Sequence, residues 1–217
     1  MSWFAHTLRM LLSDGVARLM LVLHTVLAVA AVAAATHLVL WLRRNLKQRG
    51  SFASTRRFAT YALVLHFAAF VLGNVMYPTY KIRVRVAYLE NPVAIASDFH
   101  RRAIDRSRVE GTAVPNPEPT AADSKALAAM RMARWFDVKE HLLAFGLGAL
   151  AAVWIITRRW RPHQLVNATA GAAVDATASR PEADSVAMAV LGLAVFAAAT
   201  LWIGAVIGLA TAAWRAI

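Results

Sequence analysis

Residues 16–42 read VARLMLVLHTVLAVAAVAAATHLVLWL, and this stretch decides the fold. Only Arg18, His24 and His37 interrupt its apolar character. It exceeds the roughly 20 residues that an α-helix needs to cross a hydrocarbon core of about 30 Å. It is also far longer than the apolar core of about 7–15 residues in a signal peptide. We therefore predict a membrane span rather than a leader that is cleaved near Ala33–Ala35.

Three further apolar stretches have a similar length and character. A backbone in lipid has to satisfy its own hydrogen bonds, and Ala- and Leu-rich runs do so as helices. We therefore predict an all-α fold, a membrane four-helix bundle that forms one transmembrane domain over residues 1–217. Its helices are expected at about 16–42, 58–77, 138–157 and 186–213.

The composition agrees with a membrane protein and excludes several kinds of site. Of the 217 residues 59% are hydrophobic, and the formal net charge is +12. The arginines cluster at the ends of the apolar runs, without a compact motif for reading bases, so nucleic acid is not an expected partner. The absence of cysteine excludes disulfides, thiolate metal sites, iron–sulfur clusters and covalent c-type haem. With no nucleophile triad, phosphate-binding loop or paired carboxylates, the isolated chain is not expected to be an enzyme.

Short basic loops determine the predicted orientation. Residues 43–57 are rich in Arg and Lys, and residues 158–185 open with further arginines. By the positive-inside rule both are expected to be cytoplasmic loops of a bacterial inner-membrane protein. Both termini and a long connection, residues 81–136, then face outward.

The outer connection is predicted to be a long loop. It is expected to begin extended, because apolar and basic residues alternate over 81–86, and to end in a helix near 122–135. The prolines of 115–119 forbid regular helix between these parts. Because most connections are about 4–6 residues long, we expect this basic loop to dock other subunits of a membrane complex. On the cytoplasmic side, residues 167–184 have the composition of a flexible linker.

Four of the seven histidines lie inside the predicted spans, where ionisable residues are costly and are functional candidates by default. Counted from the predicted helix ends at about 1.5 Å per residue, they fall at two depths. His37 and His66 share the inner depth, and His24 and His141 share the outer one. The remaining histidines are expected to be ordinary polar residues outside the spans: His6, His100 and His163.

Facing histidines at two depths are what two bis-histidine b-type haems require, because each iron takes one axial nitrogen from either side. The two irons would lie about 20 Å apart along the membrane normal. His24 and His37 differ by about 140° around their helix, so they would face different neighbouring helices. Small residues such as Gly146 would make room for the haems, although they are common at any transmembrane interface. Haem propionates need cations; the inner candidates are Arg43, Arg44 and Arg57, and the outer ones are Arg18, Lys81, Arg83 and Lys139.

Two other interpretations stay open. Intramembrane histidines also relay protons or bind metal ions in transporters and channels, although no carboxylate lies in mid-membrane here. Each histidine is alternatively a packing residue, hydrogen-bonded between helices of a structural accessory subunit. A visible absorption spectrum separates these interpretations from the haem hypothesis.

In its bundle and its four intramembrane histidines, His24, His37, His66 and His141, the chain resembles the small dihaem cytochrome b subunits of bacterial membrane oxidoreductases. The b-type subunits of formate dehydrogenases and hydrogenases are similar in design, and there one helix gives a ligand to each haem. The resemblance implies an electron-transfer subunit within a larger respiratory or redox complex. It also implies that a quinone or a partner protein exchanges electrons with the haems.

Polar groups at the outer rim would suit the binding of such a quinone or the transfer of its proton. Ordinary anchoring at the membrane interface also explains them, and we favour that interpretation because Tyr is common at this depth. The residues are Tyr77, Tyr80, Asp137, Lys139 and Glu140.

Overall fold

A computed structural model describes residues 12–47, 52–113, 119–159 and 180–216, which are almost entirely helical. The elements are α1 Asp14–Leu46, α2 Phe52–Tyr80, a π-helical segment Lys81–Leu89, α3 Pro92–Glu110, α4 Pro119–Arg159 and α5 Arg180–Ala216. Four stretches are long and apolar enough to cross a membrane: Asp14–Leu46, Phe52–Leu89, Ser124–Arg159 and Ser185–Ala212. The predicted all-α class and the four apolar helices are confirmed, whereas the sides on which the termini lie stay a prediction.

Most of the described residues of the predicted outer loop are helical. Its start is not extended, because residues 81–89 continue α2 as a π-helix. A helix end would leave backbone N–H and C=O groups without partners, and continuing the helix satisfies them. This gain outweighs the preference for a strand that the alternation of apolar and basic residues indicated. The segment is held by Arg85, which forms ion pairs with Glu90 at 2.6 Å and with Asp137 at 2.7 Å.

Helix α3 lies in the middle of the same region and is capped at both ends. The Asn91 side chain accepts a hydrogen bond from the Ala94 N–H, and Pro92 occupies the first turn. At the other end Gly111 adopts φ 64°, the left-handed conformation that ends a helix without cost to glycine. The predicted loop therefore contains a well-defined helix that the sequence analysis missed.

Helix α4 joins two elements that were predicted separately. It runs without interruption from Pro119 to Arg159, so the helix near 122–135 and the span at 138–157 are one. At about 1.5 Å per residue it is about 60 Å long, twice the hydrocarbon thickness, so part of it projects from the membrane. Most of the proline-rich break and of the predicted cytoplasmic linker lie outside the described residues, but α5 already begins at Arg180, within the predicted linker.

The chain divides into two compact units. The first, named here the histidine unit, comprises Val22–Leu72 and His141–Ala205 and has an alanine-rich core. Alanine lets transmembrane helices approach closely, which is how helices associate in lipid. The second unit comprises Met1–Leu21, Gly73–Glu140 and Val206–Ile217. Its core consists of Leu89, Ile95, Ala126, Ala129 and Ala133, which join the π-helical segment, α3 and α4.

Candidate functional site

The register between α2 and α4 in the histidine unit follows from two contacts. Arg56 Nε donates to the Thr157 carbonyl at 2.8 Å, near the start of α2 and the end of α4. Further along, a Cβ built at Gly146 would lie 3.5 Å from Cε1 of His66. Residue numbers therefore rise on α2 as they fall on α4, so the two helices are antiparallel.

The register between α1 and α2 is fixed by the histidines themselves. The His37 ring stacks on the Phe58 ring, with centroids 5.3 Å apart and planes inclined by 15°. His24 Nδ1 lies 2.9 Å from the Ala69 carbonyl oxygen. These two helices are also antiparallel, and every intramembrane histidine can be placed along α2.

Measured along α2, the predicted inner pair of His37 and His66 is separated in depth, whereas the predicted outer pair of His24 and His141 lies at nearly the same depth. His37 is level with a position eight residues before His66, about 12 Å away. His24 is level with a position three residues after His66, about 4.5 Å away. His141 lies five residues before Gly146, which is level with His66. Its offset from His66 along the helix axis is therefore about 7.5 Å, in the same direction as that of His24. His24, His66 and His141 therefore lie at similar depths, whereas His37 lies at a different depth.

His66 is the buried member of this group. Its side chain is 2% exposed, and neither Nδ1 nor Nε2 has a hydrogen-bond partner among the described residues. Gly146 of α4 and Thr200 of α5 lie beside it, and a Cβ at Gly146 would overlap Thr200 Oγ1. Thr200 Oγ1 donates to the Ala197 carbonyl at 2.8 Å. The imidazole therefore sits in close packing with both nitrogens unused.

His24 and His37 share a different arrangement. Each places Nδ1 at hydrogen-bond distance from a backbone carbonyl, Ala69 for His24 and Ala33 for His37. A carbonyl only accepts, so Nδ1 carries the proton and the lone pair of the neutral ring lies on Nε2. Metal-binding histidines are commonly oriented by such a bond to the nitrogen that does not bind the metal. His24 is half-buried, whereas His37 and His141 are exposed.

The predicted propionate partners divide between the two units. Arg43, Arg44 and Arg57 are exposed in the histidine unit, and the Arg44 guanidinium lies over the Trp41 ring. The predicted outer cations all belong to the second unit, where Arg83 pairs with Asp14. These outer cations are Arg18, Lys81, Arg83 and Lys139.

The predicted rim residues meet in the second unit. Tyr80 stacks on Phe136 with centroids 4.0 Å apart, and the Lys139 ammonium lies 4.8 Å from the centroid of the same ring. Tyr77 is near-parallel to Phe136 at 6.5 Å. The Tyr80 hydroxyl is buried and has no hydrogen-bond partner among the described residues. The cluster offers hydrogen-bond donors beside a flat aromatic surface.

Sequence reasoning missed three residues that shape these sites. Phe58 positions His37, Thr200 packs beside His66, and Phe136 is the ring that Tyr80 and Lys139 share. Thr200 was detectable in principle, since it is a polar residue within an otherwise apolar helix. The two phenylalanines were not, because nothing distinguishes them from lipid-facing residues.

No cluster of three or more His, Asp or Glu side chains suited to a metal ion occurs in the part of the chain that the structure describes. A haem iron needs only two protein ligands, so pairs of histidines are the relevant unit. Comparison with protein-family models, curated proteins and solved structures gives no match. Function is therefore inferred from the chain's own residues.

Proposed function

We propose that the chain is an electron-carrying membrane subunit of the b-type cytochrome kind, with His66 as an axial ligand of haem b. The observation that carries this proposal is the buried imidazole of His66, whose nitrogens both lack partners among the described residues. A buried polar group without a partner costs about 1–3 kcal/mol. A bond from one nitrogen to a haem iron would remove the cost for that nitrogen.

The residues around His66 are small and apolar but closely packed, so the helices would have to separate to admit a haem. Gly146 presents no side chain to the imidazole, and Ala62 and Ala69 on α2 are buried and small. The ligand would be the neutral imidazole of His66, which lies in an apolar core. Haem iron binds imidazole as an axial ligand. When bound, haem b supplies a one-electron carrier. The protein would hold the iron through His66 and exclude water through the alanine-rich core.

His24 is the second ligand that we propose. It lies about 4.5 Å from His66 in depth, and its Nδ1–H bond to the Ala69 carbonyl orients the ring and places the lone pair on Nε2. His141 lies at nearly the same depth but is exposed. We therefore propose one haem bound within the chain, in place of the two predicted from the sequence. Such a subunit would exchange electrons with a quinone or with a partner protein of a bacterial inner-membrane complex.

Cation transport, the other function considered, finds less support in this unit. The sequence has no Asp or Glu between Val22 and Leu72 or between His141 and Arg159. Pathways for protons or metal ions usually pair intramembrane histidines with carboxylates. Apolar spans without acidic residues around a buried imidazole are better suited to a haem than to a hydrated cation.

A haem measurement on the purified full-length chain tests the proposal. We expect a reduced b-type spectrum from the wild-type protein and the loss of one haem per chain in His66→Gln and in His24→Gln. His100→Gln is the matched control, because His100 is an exposed histidine on α3. A wild-type protein without haem, or a His66→Gln variant with full haem content, would contradict the proposal.

A further inference from the structure

Two exposed arginines of the histidine unit lie over tryptophan rings. The Arg44 guanidinium carbon is 5.5 Å from the centroid of the Trp41 ring on α1, and that of Arg158 is 5.0 Å from the centroid of the Trp154 ring on α4. Arginine can stack on an aromatic face and still bind a phosphate through the N–H groups at its edge. Tryptophans near the ends of membrane helices lie at the level of the lipid headgroups. These two residues, named here the stacked arginines, are therefore held at the depth of lipid phosphates.

Contacts between the helices place both stacked arginines at one end of the unit. Asn45 Nδ2 donates to Thr55 Oγ1 at 2.5 Å, which joins the end of α1 to the start of α2. Arg56, beside Thr55, donates to the Thr157 carbonyl at 2.8 Å, which joins the start of α2 to the end of α4. The stacked arginines are the sequence neighbours of Asn45 and Thr157. Three helices thus bring cations to the same end of the unit.

The unit has far more cations than its own carboxylates can neutralise. Its two segments contain ten Lys and Arg residues but three Asp and Glu residues, which are Asp175, Glu182 and Asp184. Seven cations would remain even if each of these acids formed an ion pair. Neither of the stacked arginines forms an ion pair with a described residue. Most of the negative charge that balances this end of the unit therefore comes from outside it.

Helix α1 presents apolar and cationic groups in the order that suits a phospholipid. An open hollow of about 220 Å³ is lined by Leu40, Arg43, Arg44 and Lys47. The Leu40 side chain is 50% exposed and lies deeper in the span, whereas the three cations lie toward the helix end at Leu46. An acyl chain beside Leu40 would bring its phosphate to the level of the cations. This order distinguishes a lipid from an acidic protein segment, which has no acyl chain.

We propose that this end of the histidine unit binds anionic phospholipids, with Arg44 and Arg158 contacting the headgroup phosphates. Clusters of Lys and Arg at the ends of membrane helices attract such headgroups. A zwitterionic headgroup carries an ammonium group that the excess of cations repels, so phosphatidylglycerol should bind in preference to phosphatidylcholine. The site uses no residue of the His66 site and does not depend on haem.

Native mass spectrometry of the full-length protein in detergent tests the proposal by titration with each of the two lipids. The wild type should bind phosphatidylglycerol about tenfold or more tightly than phosphatidylcholine. Replacing both stacked arginines, as Arg44→Gln with Arg158→Gln, should weaken phosphatidylglycerol binding about 10–30-fold and leave phosphatidylcholine binding unchanged. The matched control is Arg106→Gln with Arg108→Gln, which makes the same change of net charge at two exposed arginines of α3. The control should leave both affinities unchanged.

Four results would overturn the proposal. The first is equal affinity of the wild type for both lipids, which needs no variant and stays decisive if a variant misfolds. The second is an equal loss of phosphatidylglycerol binding in the control, because binding would then follow net charge alone. The third is displacement of the lipid by excess inorganic phosphate at constant ionic strength, which would identify a site for free phosphate. The fourth is tighter binding of a polyglutamate peptide, which would identify a site for an acidic protein segment.

Discussion

Replacing Gly146 with alanine tests the packing around His66. A Cβ at this position would overlap Thr200 Oγ1 and lie 3.2 Å from Thr200 Cβ. Thr200 has little freedom to move, because it is β-branched, 2% exposed and hydrogen-bonded to the Ala197 carbonyl. Overpacking of this kind costs about 1–3 kcal/mol. Alanine is better than glycine in a helix by about 1 kcal/mol, so the net loss of unfolding free energy is up to about 2 kcal/mol.

Gly148→Ala is the matched control, two residues further along the same helix. A Cβ there would meet nothing within 4 Å. Both variants gain the same helix propensity, so the difference between them isolates the overpacking cost of about 1–3 kcal/mol. Unfolding in mixed detergent micelles, followed by circular dichroism, measures that difference.

A second substitution should relieve the clash. Thr200→Ala removes the hydroxyl that a Cβ at Gly146 would overlap, so the double variant should recover most of the lost stability. Equal stability of Gly146→Ala and Gly148→Ala would refute the reasoning. A double variant that is no more stable than Gly146→Ala alone would also refute it, since the strain would then lie elsewhere.

Three further predictions concern the second unit and the end of α4. The Tyr88 hydroxyl donates to Asp98 at 2.7 Å and, with the nearby Arg102, holds the pKa of that carboxyl below its ordinary value. A depressed folded pKa adds stability above the unfolded pKa of about 3.9 and loses it as the pH falls through the folded value. Tyr88→Phe should therefore lower the melting temperature at neutral pH but not in strong acid; an equal decrease at both would count against this. Arg56 donates to the last carbonyls of α4, so Arg56→Gln should cost about 1–2 kcal/mol and speed hydrogen exchange in that turn; unchanged exchange would exclude the capping role. Tyr80→Phe removes a buried hydroxyl that has no hydrogen-bond partner among the described residues, so it should leave thermal stability unchanged or raised; a destabilised variant would mean that the hydroxyl has a structural partner.

The number of spans could be predicted because it depends on composition alone. The long runs around His24 and His66 are more apolar than any connecting segment, and lipid permits only helices there. The π-helical segment could not be predicted, since its alternating residues suit a strand equally well. The segment is also held by the ion pair of Arg85 with Asp137, which are distant in sequence.

The depths of the histidines show where counting along a sequence fails. Helix α1 continues to Leu46 and α2 begins at Phe52, both beyond the predicted ends. The hairpin between them then aligns His37 with Phe58 rather than with His66. His37 is therefore eight residues away from the level of His66 on α2, although the predicted helix ends placed these two histidines at one depth. Helix pairing, not the position of the apolar run, determines which histidines lie at the same depth.

The most direct test of the central claim is chemical rescue at His66. In the full-length His66→Gly variant the haem should lose the low-spin bis-imidazole signature in electron paramagnetic resonance, because one axial ligand is missing. Adding free imidazole should restore that signature, since it can enter the space that the side chain leaves. Our account predicts both the loss and the recovery. A variant that keeps the wild-type signature without imidazole would show that His66 is not a ligand and would contradict the account.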